Sequence, residues 1–248
     1  MILVFGGTHE LYDIVRELIN RQLDVVVSTA TDMPISLPEG VKRVSSRLDA
    51  KGMADLARTI GAYVLVDAAH PHAVEARQQI REASLITSLP LFRFIRPHVT
   101  VEGSVHYVKN HTLAAEAACK LSDGGCVFLA VGIKSLPIYV PLLKNCGCKI
   151  IARVLPESET EAIRLGVDEV ITGRGVFSEE STRKQIRLSG ANVFVTKDSG
   201  VGSGTIEKVS AAFKENCHVI MIERPAEGDG YTTAAELSQA IRNWLEDF

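Results

Sequence analysis

The chain has 248 residues, 46% hydrophobic and 23% charged, with a formal net charge of −3. That balance excludes a dedicated DNA or RNA binder, which needs a basic face to release counterions, and no apolar run approaches the ~20 residues of a membrane span. The opening Met1-Ile2-Leu3-Val4-Phe5-Gly6-Gly7 has no basic leader, and the cysteines at 119, 126, 146, 148 and 217 lack a framework spacing, so a cytoplasmic protein with reduced thiols is expected.

A strand is predicted over Ile2–Phe5. A helix follows over Leu11–Ile19, where apolar residues recur at helical spacing. Strands at Val25–Ser28 and Val41–Val44 precede a helix at Met53–Ile60, a strand at Tyr63–Val66, a helix at Val74–Thr87 and a strand at Leu91–Phe94. The pattern lapses between Arg96 and His111, where Pro97 and Gly103 interrupt it. It resumes with a helix over Leu113–Leu121, a strand over Val127–Ala130, and a short helix over Ile138–Leu143 limited by Pro137 and Pro141. A strand at Lys149–Val154, a helix at Ser158–Leu165, a strand at Glu169–Ile171 and a helix at Glu179–Leu188 come next. The chain closes with strands at Val193–Thr196 and Val219–Ile222, each followed by a helix, Thr205–Lys214 and Ala234–Leu245.

Strands that are apolar throughout belong to parallel sheets covered on both faces. About ten of them exceed one small sheet. The expected fold is therefore α/β, with two Rossmann-like doubly wound parallel-sheet domains, residues 1–109 and 110–248, and a site in the cleft between them.

Ligands bind outside the carboxyl ends of such strands, so the corners carry the functional reading. Gly6-Gly7-Thr8 reads either as a phosphate-binding corner before a helix N-terminus or as a tight turn needing positive φ. At the second strand end, Thr29 and Asp32 suit a ribose diol, while Arg43 and Arg47 would answer a 2′-phosphate, which leaves NADH and NADPH both open. Asp67-Ala68-Ala69-His70-Pro71-His72 offers a carboxylate and a histidine able to bind a ligand carboxylate or move a proton; the bland alternative is that Asp67 and His70 fix the turn. The His-x-His pair has no third ligand at a recognisable spacing, so no metal is expected. Ser178 reads as a helix N-cap. The run Thr196-Lys197-Asp198-Ser199-Gly200-Val201-Gly202-Ser203-Gly204-Thr205 reads as an anion cradle. Cys146-Gly147-Cys148 is a weak metal or redox signal.

Six segments, taken in order, resemble the precorrin-6A reductases, including the cobalt-precorrin-6A reductases of cobalamin biosynthesis. They are Ile2-Leu3-Val4-Phe5-Gly6-Gly7-Thr8, Val66-Asp67-Ala68-Ala69-His70-Pro71, Arg93-Phe94-Ile95-Arg96-Pro97, Phe177-Ser178-Glu179-Glu180, Val195-Thr196-Lys197-Asp198-Ser199-Gly200 and Ile222-Glu223-Arg224-Pro225. Glu10 is kept from the family's first corner, whereas Leu11 and Tyr12 replace its usual Gly and Arg. The resemblance implies hydride transfer from NADPH or NADH to a double bond of a carboxylate-rich tetrapyrrole, with no nucleic-acid or membrane partner. Gly6, Gly7, Thr8, Thr29, Asp32, Arg43 and Asp67 would then face the cofactor. Arg96, Arg153, Ser178, Thr196 and Gly200 would face the substrate, and Lys197, His70 and Ser199 would be catalytic. A carbonyl reductase of the short-chain type is disfavoured, because none of the five tyrosines has a Lys four residues on. A non-catalytic two-domain nucleotide sensor is the remaining alternative.

Overall fold

The computed structural model describes residues 1–226 and 228–247. The chain forms two compact units, Met1–Pro97 together with Pro225–Phe248, and His98–Arg224. In the first, strands β1 (Ile2–Gly6), β2 (Val25–Thr29), β3 (Lys42–Ser45), β4 (Val64–Ala68) and β5 (Leu91–Arg93) make a parallel sheet in the order β3-β2-β1-β4-β5. Ile2, Leu3, Val4, Val64, Leu65 and Val66 are completely buried, because helices cover both faces. Those helices are α1 (Glu10–Asn20), α2 (Ala50–Thr59), α3 (Val74–Thr87) and α9 (Ala234–Glu246). One face packs on α1 and α9 through Ile14, Leu18, Leu237 and Ile241. The other packs on α2 and α3 through Met53, Ala57, Ile80 and Ala83.

The second unit holds β6 (Val105–Val108), β7 (Cys126–Leu129), β8 (Lys149–Val154), β9 (Glu169–Thr172), β10 (Val193–Lys197) and β11 (His218–Ile222), all parallel, in the order β6-β11-β10-β7-β8-β9. Helices α4 (His111–Ser122), α5 (Leu136–Asn145) and α6 (Glu159–Arg164) pack on one face, through residues such as Ala118, Leu136, Leu143 and Ala162. Helices α7 (Glu179–Ser189) and α8 (Thr205–Lys214) pack on the other, against Phe128, Ile151, Phe194 and Met221. Among the described residues no helix is long and apolar enough to cross a membrane.

The two-sheet α/β expectation holds, but the division of the chain differs from 1–109 and 110–248. The chain passes from one unit to the other at Pro97–His98, because β6 already belongs to the second sheet. That strand lacks an apolar run: His106 and Tyr107 are exposed at the sheet edge, so the hydrophobic pattern misses it. The chain then returns at Pro225. Tyr231 bridges Phe94 in parallel beyond β5, and α9 docks against α1. Helix α5 also runs further than its prolines suggest. Pro137 sits in its first turn, and the N–H missing at Pro141 would have reached the Pro137 carbonyl, so only one bond is forfeited. The cysteine expectation is corrected as well. Cys119 of α4 and Cys146 just beyond α5 form a disulfide, brought together by the packing of those two helices, while Cys126, Cys148 and Cys217 are buried thiols.

Candidate functional site

In each sheet the strand order reverses at one point, and there the helices leave to opposite faces and open a crevice at the strand ends. In the first unit the reversal lies between β1 and β4, whose register places Gly6 beside Ala68. A methyl group on Gly6 would lie 3.0 Å from the Ala68 carbonyl oxygen and 3.2 Å from its Cβ, so close strand packing demands this glycine. Gly7 has nothing within 4 Å of where a side chain would stand. Neither glycine has a left-handed backbone, which corrects the positive-φ reading. Helix α1 begins after His9 with no side-chain cap, and of its first-turn N–H groups that of Leu11 donates to the Thr8 carbonyl at 3.1 Å. This corner fits an anionic phosphate group.

The neighbouring strand ends are tied down internally. Asp67 is completely buried and accepts hydrogen bonds from Arg93 Nε at 3.0 Å and from the Ala69 N–H at 3.0 Å, with Arg77 Nε 4.0 Å away. Burial pushes its carboxyl above the ordinary value, opposed by that N–H and the two guanidinium groups. Asp67 is thus engaged by the protein itself, and it fixes the ends of β4 and β5. His70 Nδ1 accepts the His72 N–H at 3.1 Å. At the end of β2, Thr29 Oγ1 meets Arg43 Nε at 3.0 Å, the Thr31 carbonyl at 2.8 Å and Ser45 Oγ at 3.1 Å, which leaves Asp32 as the exposed carboxylate of that corner. Arg96, expected to face substrate, is buried, and its guanidinium grips both carboxylate oxygens of Glu10. The two motif ends of the first unit, the glycine corner with Glu10 and Arg96-Pro97, therefore meet through one ion pair.

In the second unit the reversal lies between β7 and β10. Asp198 organises the loop after β10: its Oδ1 accepts the Gly200 N–H at 2.9 Å, and its Oδ2 meets Arg224 Nε at 3.2 Å and His98 Nδ1 at 3.7 Å. Gly200, Gly202 and Gly204 all have left-handed backbones (φ 81, 77 and 73°), which lets the loop turn tightly into α8. Ser199 is buried in this turn, its N–H directed at Thr205 Oγ1 at 3.4 Å. Lys197 is half-buried, and desolvation lowers its pKa. Burial, with Lys197 as a second cause, pulls His111 down to about 4. That ring is held by Tyr139 Oη at 2.8 Å and Ser135 Oγ at 3.1 Å, so it is neutral at physiological pH.

Arg153 emerges near the end of β8 and is 9% exposed. It donates to Thr182 Oγ1 at 3.3 Å and Gln185 Oε1 at 3.1 Å, and lies 4.2 Å over the Phe177 ring. Desolvation lowers its pKa to about 10. Ser178, another expected substrate residue, is exposed and accepts the Ser181 N–H at 3.2 Å as the cap of α7. The structure also brings in residues that carry no motif: His111 and Tyr139 on one face of this sheet, Thr182 and Gln185 around Arg153 on the other, and Lys208 in α8. Their only sequence signal is proximity to a strand end, and helix periodicity assigns them to packing or to solvent. Among the described residues no group of three His, Cys, Asp or Glu side chains gathers to hold a metal ion.

Two all-parallel sheets, one with an open glycine corner at its reversal point, define a Rossmann-type α/β protein with the architecture of nucleotide-dependent enzymes. Residues 1–245 match the model of the family described as precorrin-6x reductase CbiJ/CobK, and the chain belongs to that family. It is 32% identical over 229 residues to the cobalt-precorrin-6A reductase of Methanocaldococcus jannaschii, covering 90% of each chain. It is 30% identical to that of Priestia megaterium, covering 98% of each. A solved structure of CobK precorrin-6A reductase superposes with a TM-score of 0.77 at 24% identity, over 99% of this chain and 96% of that one, and supports the fold.

Proposed function

We propose that the protein is a cytoplasmic reductase of cobalamin biosynthesis, which reduces one double bond of precorrin-6A or its cobalt complex at the expense of NADPH or NADH. The observation that carries this reading is the family match over residues 1–245. The glycine corner fits the nucleotide: space stands open above Gly7, and the first turn of α1 is uncapped. The reduced nicotinamide supplies the hydride when bound.

The chain's own residues divide the remaining work. The backbone of Gly6, Gly7 and Thr8, with the first-turn N–H groups of α1, holds the pyrophosphate. Thr29, Asp32 and Arg43 meet the adenosine ribose. Asp67 and Arg96 act as positioning residues, the first through Arg93 and the second through Glu10. In the second unit, Arg153, Thr196 and the Gly200 turn receive carboxylate arms of the macrocycle. Lys197 holds the proton that completes the reduction, because desolvation brings its pKa closer to neutrality, where a general acid works best. His70 and Ser199 are the competing donors.

The test is titration with NADH and NADPH in parallel, followed by turnover on metal-free and cobalt-bearing substrate, read from the cofactor absorbance. A protein that binds nucleotide and tetrapyrrole yet oxidises neither cofactor is a sensor, and the reductase reading falls.

A further inference from the structure

Among the described residues no ion pair matches the charge of Arg153, on the face of the second sheet beneath α7 and α8. Among the described residues Arg153, buried as it is, meets only neutral partners, Thr182, Gln185 and the rings of Phe177 and Phe128. Lys208 stands half-buried in the early turns of α8, the helix packed on this face through Val209 and Ala212; burial, with the positive charge of Arg153 and Lys197, lowers its pKa to about 8. A buried guanidinium on a face that also carries an ammonium group is costly unless an anion joins them.

The register says where that anion would sit. Val195 pairs with Leu129, and Leu129 with Ala152. One step further, Thr196, Ala130 and Arg153 stand side by side on the face that already carries Phe194, Phe128 and Ile151. Thr196 is completely buried, and its Oγ1 has no hydrogen-bond partner. A buried hydroxyl left unsatisfied is costly. Between Thr196 and Arg153, which are about 10 Å apart across two strand spacings, the row contains only the methyl group of Ala130. Ala130 is partly exposed although both its row neighbours are buried.

We propose that Thr196, Arg153 and Lys208 form a carboxylate cradle floored by Ala130, which seats one acetate- or propionate-type arm of the substrate. The Thr196 hydroxyl donates to one oxygen of the arm, and Arg153 and Lys208 neutralise its charge. This assignment rests on the tetrapyrrole reading above. It adds Lys208, and it makes Arg153 and Thr196 two sides of a single subsite rather than separate contacts.

The experiment is limited acetylation of the full-length protein with N-hydroxysuccinimidyl acetate. The rate at Lys208 is read by peptide mass spectrometry against exposed Lys42 as internal standard. Saturating cobalt-precorrin-6A should slow acetylation of Lys208 at least fivefold, and succinate at millimolar concentration should slow it in proportion to occupancy. NADPH and inorganic pyrophosphate should leave it unchanged. In parallel, Lys208→Gln and Arg153→Lys, checked for folding by circular dichroism, should each raise the Kd for the tetrapyrrole about tenfold and leave the Kd for the nicotinamide nucleotide within twofold. Protection by NADPH or pyrophosphate, but not by the tetrapyrrole, would make the cradle a nucleotide-phosphate site and overturn the proposal. So would wild-type turnover with no protection at Lys208, and that result leaves the reductase reading standing. Absence of both turnover and tetrapyrrole binding in the wild type removes the reading underneath.

Discussion

The two glycines of the first corner are expected to respond oppositely to the same methyl group. In Gly6→Ala the new Cβ meets the Ala68 carbonyl oxygen at 3.0 Å, its Cβ at 3.2 Å and a Leu11 methyl at 3.3 Å. Two of those atoms belong to a neighbouring central strand and cannot retreat cheaply, so the cost is that of overpacking, about 1–3 kcal/mol. In Gly7→Ala the methyl meets nothing within 4 Å, and the backbone is not left-handed. Stability should therefore be unchanged, or rise by about 0.4–1 kcal/mol as the unfolded chain loses freedom. If the open space above Gly7 is where a pyrophosphate approaches, the methyl occupies that space, and nucleotide affinity should fall at least about tenfold, or 1.4 kcal/mol. Urea denaturation and nucleotide titration on both variants separate the two effects. A Gly7→Ala protein that binds NADH or NADPH like the wild type would refute the assignment of this corner, whatever its stability.

Glu10→Ala leaves the buried Arg96 guanidinium without its carboxylate; with side chains 14% and 6% exposed, the loss should fall near the low end of the buried-pair range, about 3 kcal/mol. Trp244, the only tryptophan, packs in the first unit's core and reports that unit's unfolding by fluorescence. A loss under about 1 kcal/mol would show that the pair is dispensable. Lys197→Met should lower the single-turnover rate about 100-fold or more while leaving nucleotide affinity intact; a variant that only binds substrate more weakly rules out the proton-donor role. Glu215 is held at about 2, below its ordinary 4.5, chiefly by its hydrogen bond with Arg187 and by Arg183. Its contribution to stability is thus full above pH 4.5 and is lost as the pH falls toward 2, and Glu215→Gln should flatten that acid limb in melting curves. Cys119→Ser opens the link to Cys146, 27 residues away, and should cost about 2–4 kcal/mol under oxidising conditions. Thiol titration of the unreduced, denatured wild type should count three groups, and five would refute the bond.

Most of the fold was legible because strands buried on both faces spell continuous apolar runs. Helices Val74–Thr87 and Thr205–Lys214 have the bounds that periodicity assigns them. The strand Val105–Val108 was illegible because it lies at the sheet edge and exposes a residue on each face, His106 and Tyr107, and the return of the last segment was illegible because no local pattern says which sheet a helix will join. The site divides in the same way. Glycine corners and the Asp198-Ser199-Gly200 turn announce themselves by composition. The partners of a charge do not. Arg96 read as a ligand for substrate with no sign that the fold delivers Glu10 to it, and Lys208 carried no signal that its helix packs on the sheet face holding Arg153. Such relations join residues 86 positions apart in the first case and separate elements, α8 and β8, in the second, a separation that local motifs cannot encode.

The return of residues 225–248 to the first unit has a consequence for biosynthesis on the ribosome. The amino-terminal sheet is translated before the second unit, yet the helix that buries Ile14 and Leu18 is made after it. The intervening unit, continuous from 98 to 224, can complete itself while its elder neighbour still waits with an apolar flank uncovered. Vectorial synthesis thus inverts the usual sequence of maturation, and a nascent chain stalled before residue 234 should be open to protease in its first hundred residues and resistant in its second.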